Sequence, residues 1–122
     1  MKLRVARHTI NLQPLIKFYT EILGLKVMGD FKDHSNYDGV FIGGKNVDWH
    51  LEFTTSNEAP RHQADDDDLL VFYTSTIEEY TAIKEKIAVH HIEPIKAKNP
   101  YWNENGITII DPDGFRVVIV KP

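Results

Sequence analysis

Asn11–Val27, NLQPLIKFYTEILGLKV, reads as a capped helix, its exit and the opening of a strand. Asn11 is a good N-cap, and Pro14 falls in the first helical turn, where a missing N–H is tolerated. Leu15, Phe18 or Tyr19, and Ile22 recur at helical spacing, and Gly24 supplies the stop. Upstream, Leu3–Ile10 alternates as a strand. Downstream, the pattern predicts strands over Leu25–Asp30, Gly39–Ile42 and Trp49–Thr54, separated by a polar loop at Asp33–Asn36 and a turn at Gly43–Asn46.

About 65 residues later the same order returns. Superposing Arg4-Val5-Ala6 on Leu69-Leu70-Val71 brings Asn11 onto Thr76, Leu12 onto Ile77, Leu15 onto Tyr80, Phe18 onto Ile83 and Ile22 onto Ile87. Thr76-Ile77-Glu78-Glu79 is a capping box, opening a helix whose Ile77, Tyr80, Ile83 and Ile87 face inward. A strand near Ile92–Ala97 and another over Ile107–Ile110 follow. Asp111-Pro112-Asp113-Gly114 fits a type I turn into the last strand, Phe115–Val120. The predicted fold is α+β, two βαβββ modules in tandem whose curved mixed sheets enclose a cleft, where a ligand site is expected. All 122 residues form one domain: module one over about 3–54, an acidic linker over about 55–68, and module two over about 69–121. The linker, with Pro60 and four consecutive aspartates, reads as a solvated connector whose charges repel, a weak cation site being the alternative.

Composition narrows the function. Apolar residues make up 42% and charged residues 26%, as in an ordinary globular chain. The absence of cysteine excludes disulfides, thiolate metal sites and a cysteine nucleophile. A net charge of -4 and scattered Lys and Arg argue against nucleic acid. No apolar run is long enough to span a membrane, and Met1–Arg4 begins a strand pattern, not a signal peptide; the expected location is cytoplasmic.

With "NLQPLIKFYTEILGLKV", "HLEF" at His50–Phe53 and "NENGITIIDPDGFRVVIV" near the C-terminus, the chain resembles the vicinal oxygen chelate superfamily. That group contains glyoxalase I, fosfomycin- and bleomycin-resistance proteins and extradiol dioxygenases. The matching pieces span nearly the whole chain and specify the fold far better than the reaction. The resemblance implies a homodimer. It also implies a metal ligand on the first and fourth strands of each module, at positions that fall here on Arg4, Glu52, Leu69 and Val118. Only Glu52 can ligate: a guanidinium repels a divalent ion, and Leu69 and Val118 offer no lone pairs. The reading that follows is a metal-free pocket for a small organic molecule, with no cofactor.

Strand periodicity aims Arg4, Ala6, His8, His50, Glu52 and Thr54 toward the concave face, and likewise Leu69, Val71, Tyr73, Arg116, Val118 and Val120. An Arg4–Glu52 ion pair is expected where relatives hold a metal. The expected pocket comprises Arg4, His8, His50, Glu52, Leu69, Tyr73, Arg116 and Val118, with Tyr101-Trp102 as an aromatic wall, lid or dimer contact. Glu52 and His50 are the catalytic candidates, Glu52 being readable equally as a structural partner to an arginine and His50 more readily as a satisfied pocket-wall histidine. His34, His62, His90 and His91 read as surface residues. The competing function is a metal-dependent lyase or dioxygenase of glyoxalase type, with His8, His50 and Glu52 binding a divalent ion. A third is metal-free proton transfer with Glu52 as base, weakened if Arg4 pairs with it and lowers its pKa.

Overall fold

Asn11 accepts a hydrogen bond from the Gln13 N–H at 3.1 Å and opens helix α1 (Leu12–Lys17). The chain then widens into a π-helical turn, Phe18–Ile22. That wider winding lets neighbouring positions turn inward together, so Phe18 and Tyr19 are both buried, with Leu15 and Ile22. Gly24, at φ +72°, ends the segment, and the Leu25 N–H closes onto the Tyr19 carbonyl at 3.1 Å.

The structure, a computed structural model, describes residues 1–122, which divide into two compact units, Met1–His62 and Gln63–Pro122. In the first, strands β1 (Arg4–His8), β2 (Lys26–His34), β3 (Tyr37–Gly43) and β4 (His50–Thr55) form one sheet in the order β1-β4-β3-β2. β1 runs parallel to β4, and the other pairs are antiparallel. Leu51 and Phe53 of β4 and Val40 and Ile42 of β3 are buried on the face that packs against the helical segment, where Tyr19 stacks on Phe53 at 5.2 Å. Burying each such side chain contributes about 1.5–3 kcal/mol. The predicted loop at Asp33–Asn36 is instead a tight hairpin: Ser35 and Asn36 both have positive φ, 53° and 69°, as a type I′ turn requires. β2 and β3 therefore run further than the hydrophobic pattern indicates.

The second unit contains β5 (Leu69–Tyr73), α2 (Ile77–Val89), α3 (Pro100–Asn105), β6 (Gly106–Ile110) and β7 (Arg116–Val120). Its sheet order is β5-β7-β6, with β5 parallel to β7 and β6 antiparallel to it. Both units are α+β with a mixed sheet, and β5-β7-β6 repeats β1-β4-β3 without a full counterpart of β2. Thr76 caps α2 by accepting from the Glu79 N–H at 3.1 Å, and the Glu79 carboxylate accepts from the Ser75 N–H at 2.8 Å. Ile83 and Ile87 are buried as expected, but Ile77 is exposed. The expected strand at 92–97 shrinks to a single bridge, Ile95 to Thr108. Pro94 has no N–H to give a ladder, and the Asn103 side chain satisfies both backbone groups of Ala97, at 2.8 and 3.1 Å. The turn after β6 forms as read: the buried Asp111 carboxylate accepts from the Asp113 and Phe115 N–H groups at 2.9 and 3.1 Å.

The aspartate run is exposed, and its carboxylates also find partners within the second unit. Asp65 and Asp68 side chains accept backbone N–H groups from Asp67 and Asp65, at 2.9 and 3.1 Å, and fold the run into a turn. Arg116 draws Asp66 onto the sheet at 3.1 Å, and Lys98 lies 4.0 Å from Asp67.

Candidate functional site

Because residues paired across a ladder project to the same side, the register fixes which side chains share a face. Arg4 lies opposite His50, Ala6 opposite Glu52 and His8 opposite Thr54. On the other flank of β4, Phe41 lies opposite Glu52 and Gly39 opposite Thr54. With Leu51 and Phe53 turned to the helical segment, these residues occupy the opposite, helix-free face of the first sheet. The alternation expected for Arg4, Ala6, His8, His50, Glu52 and Thr54 is thus the observed one.

Phe41 is the centre of that face. Phe31 leans over Gly39, where any Cβ would collide with its ring, and meets Phe41 at 5.7 Å between centroids. At the other end the His50 ring fills the space over Gly43, whose Cβ would stand 2.8 Å from His50 Cδ2. The Gly39-x-Phe41-x-Gly43 alternation thus makes one aromatic platform between two shallow positions. Strand periodicity, once Glu52 was assigned to the face, could have placed Phe41 beside it.

Arg4 does not pair with Glu52. Its guanidinium lies over the Phe41 ring, 4.4 Å from the centroid, with no carboxylate within ion-pair distance. The expected ion pair presumes that two opposite charges sent to one face must neutralise each other, but stacking on a ring offers the guanidinium another partner while its N–H edges stay open. Glu52 and His50, both half-buried, make no hydrogen bond or ion pair to protein.

His8 is different. Its Nδ1 lies 2.8 Å from Thr54 Oγ1, and its Nε2 lies 3.0 Å from the Glu58 carbonyl and 3.1 Å from Ser56 Oγ. A carbonyl only accepts, so Nε2 carries a proton and Nδ1 is left to accept from the Thr54 hydroxyl. Both ring nitrogens are committed, and His8 ties residues 54–58 to β1. His62 adds to the same fastening by donating from Nε2 to the His8 carbonyl at 2.8 Å. No group of three or more His, Asp and Glu side chains gathers to hold a metal ion, and the donor set His8, His50 and Glu52 lacks its first member.

In the second unit Leu69, Arg116 and Ile110 line up across the ladder, as do Val71, Val118 and Thr108, and Tyr73 with Val120. Arg116 gives its guanidinium to Asp66. Val118 is fully buried, and beside it the buried Thr108 hydroxyl has no hydrogen-bond partner. Tyr73 and Tyr101 are exposed, and Tyr101 meets Trp102 edge to face at 5.0 Å on α3. That helix escaped the sequence reading, although Asn99-Pro100 is a cap followed by proline at the first helical position.

Solved structures share this architecture. Glyoxalase I of Leishmania major, 21% identical, superposes with a TM-score of 0.75 over 99% of this chain and 86% of that one. A genomically encoded fosfomycin resistance protein from Listeria monocytogenes, 12% identical, gives 0.67 over 98% of this chain and 88% of its own. The fold is that of the glyoxalase and fosfomycin- or bleomycin-resistance proteins of the vicinal oxygen chelate superfamily.

Profiles of the YycE-like N-terminal and C-terminal domains match residues 3–54 and 67–121. The Bacillus subtilis (strain 168) protein YycE is 42% identical over 123 residues, covering 98% of this chain and 87% of that protein. Its crystal structure, described as a YycE protein of unknown function and a candidate glyoxalase/fosfomycin resistance protein, superposes with a TM-score of 0.85, over 98% of this chain and 88% of that one. The chain belongs to the YycE-like family.

Proposed function

We propose that this protein binds a small organic molecule on the helix-free face of its first sheet, over Phe41, without a metal ion. The observation that carries the reading is the pair of half-buried polar side chains, His50 and Glu52, which flank an aromatic platform and have no protein partner. Half-buried polar groups without partners lose solvation for no internal return, a cost that a ligand's own polar groups would offset. A metal-assisted lyase or dioxygenase is disfavoured by the donor chemistry: Arg4 repels a divalent ion, and both His8 nitrogens are engaged elsewhere. The resistance and glyoxalase proteins that share the fold support enclosure of a small molecule as its general use, while the fold leaves the reaction open.

The same reading takes the protein to be a cytoplasmic homodimer with no nucleic-acid or membrane partner. Leu3, Val5 and Ile10, exposed on and beside edge strand β1, support a pairing surface, and the net charge of -4 supports the absence of a nucleic-acid partner. No helix is long and apolar enough to cross a membrane.

A thermal-shift screen of small metabolites and antibiotics tests the binding claim, run on the natural protein and on Phe41→Ala. At least one compound should raise the melting temperature of the first and not of the second. A screen in which every hit stabilises Phe41→Ala equally would place binding elsewhere.

A further inference from the structure

We infer that the ligand of this face is an organic acid that also carries a protic donor, with Arg4 reading the acid and Glu52 the donor. The inference rests on the binding reading above and adds the chemical class. Arg4 is the starting point. A guanidinium whose carbon lies 4.4 Å from the ring centroid, with no carboxylate of the protein on its N–H groups, still offers its planar fork of donors. That fork matches the two oxygens of a carboxylate or phosphonate. Arg4 has no carboxylate of its own to satisfy it, whereas Arg116 in the second unit is paired at 3.1 Å with Asp66. Of these two arginines, the one on the first sheet's open face is left with its charge uncompensated.

Glu52 fixes the second half. It sits on the strand beside Phe41, can only accept and not donate when ionised, and has no donor from protein. An anion lacking a donor would be repelled there, so the face selects a molecule that brings a hydroxyl or ammonium to the carboxylate. His50, opposite Arg4 on the neighbouring strand, can donate or accept and does not oppose either group. The Phe31 and Phe41 rings, 5.7 Å apart, give the ligand's body apolar surface beside these polar groups.

Three probes of one shape separate these terms by titration calorimetry at low salt: 4-hydroxybenzoate, benzoate and 4-hydroxybenzamide. The natural protein should bind 4-hydroxybenzoate about tenfold or more tightly than either of the others, as expected when a charged hydrogen bond is lost. Arg4→Gln should erase the preference for the acid over the amide while leaving amide binding intact. Glu52→Ala should erase the preference for the hydroxylated acid over benzoate. Melting temperatures close to the natural protein's establish that both variants fold.

If the amide binds as tightly as the acid, or if Arg4→Gln keeps the preference, the inference is overturned and the binding reading stands. Failure of all three probes when other compounds in the screen bind has the same meaning. Failure of every compound at this face removes the binding reading as well.

Discussion

The guanidinium of Arg4 rests on the ring of Phe41, two strands away across β4, and not on the carboxylate of Glu52. A cation on an aromatic face contributes about 0.5–1 kcal/mol where water still reaches it. An isolated surface ion pair contributes a comparable amount, so the loss of the expected pair costs the fold little. Replacing Arg4 by Ala should therefore change unfolding free energy by no more than about 1 kcal/mol, measured by urea titration. A much larger loss would mean that Arg4 is a structural member of the sheet.

His8 carries the opposite expectation. Its ring joins β1 to Thr54, Ser56 and the Glu58 carbonyl. His8→Ala should destabilise the protein by about 1–3 kcal/mol, because partners are left unsatisfied. Any metal content should stay unchanged in this variant. Metal lost together with His8 would argue for the glyoxalase-type alternative.

Gly106 opens β6 against the backbone of β7, and a Cβ there would run into the Ile119 carbonyl. Backbone cannot swing aside as a side chain does. Gly106→Ala should cost about 1–3 kcal/mol, seen as a lowered denaturation midpoint with an unchanged slope.

Asn103 replaces a missing stretch of β ladder by clasping both backbone groups of Ala97. Asn103→Ala should cost about 1–2 kcal/mol and speed amide exchange at Ala97 relative to Ile95, whose N–H is held by the Thr108 carbonyl at 2.9 Å. Equal protection at the two amides would show that the clasp is dispensable.

What could be read from the sequence was local or periodic. The Asn11 and Thr76 caps, the Gly24 stop, the Asp111–Gly114 turn and the repeat itself rest on spacing within a few residues or on one fixed offset, and they recur in the structure. Alternation likewise assigned Glu52 and His50 to one face. What escaped depends on partners far apart in the chain. His8 is satisfied by groups 46 to 50 residues away, and no pattern near His8 announces them. Arg4 had two acceptable partners, a carboxylate and a ring, and only the packing of Phe41 between Gly39 and Gly43 decided between them. The Ile92–Ala97 segment is expected as a strand, but Pro94 and the reach of Asn103 limit it to one bridge.

The central claim is that a guanidinium on an aromatic platform, with no metal, equips this face for its ligand. Elemental analysis of protein purified without chelators, alongside Glu52→Ala, tests it most directly. The expected result is zinc, nickel, manganese and iron all far below one atom per chain, with no difference between the two proteins. One equivalent of any of these metals in the natural protein, lost in Glu52→Ala, would contradict it.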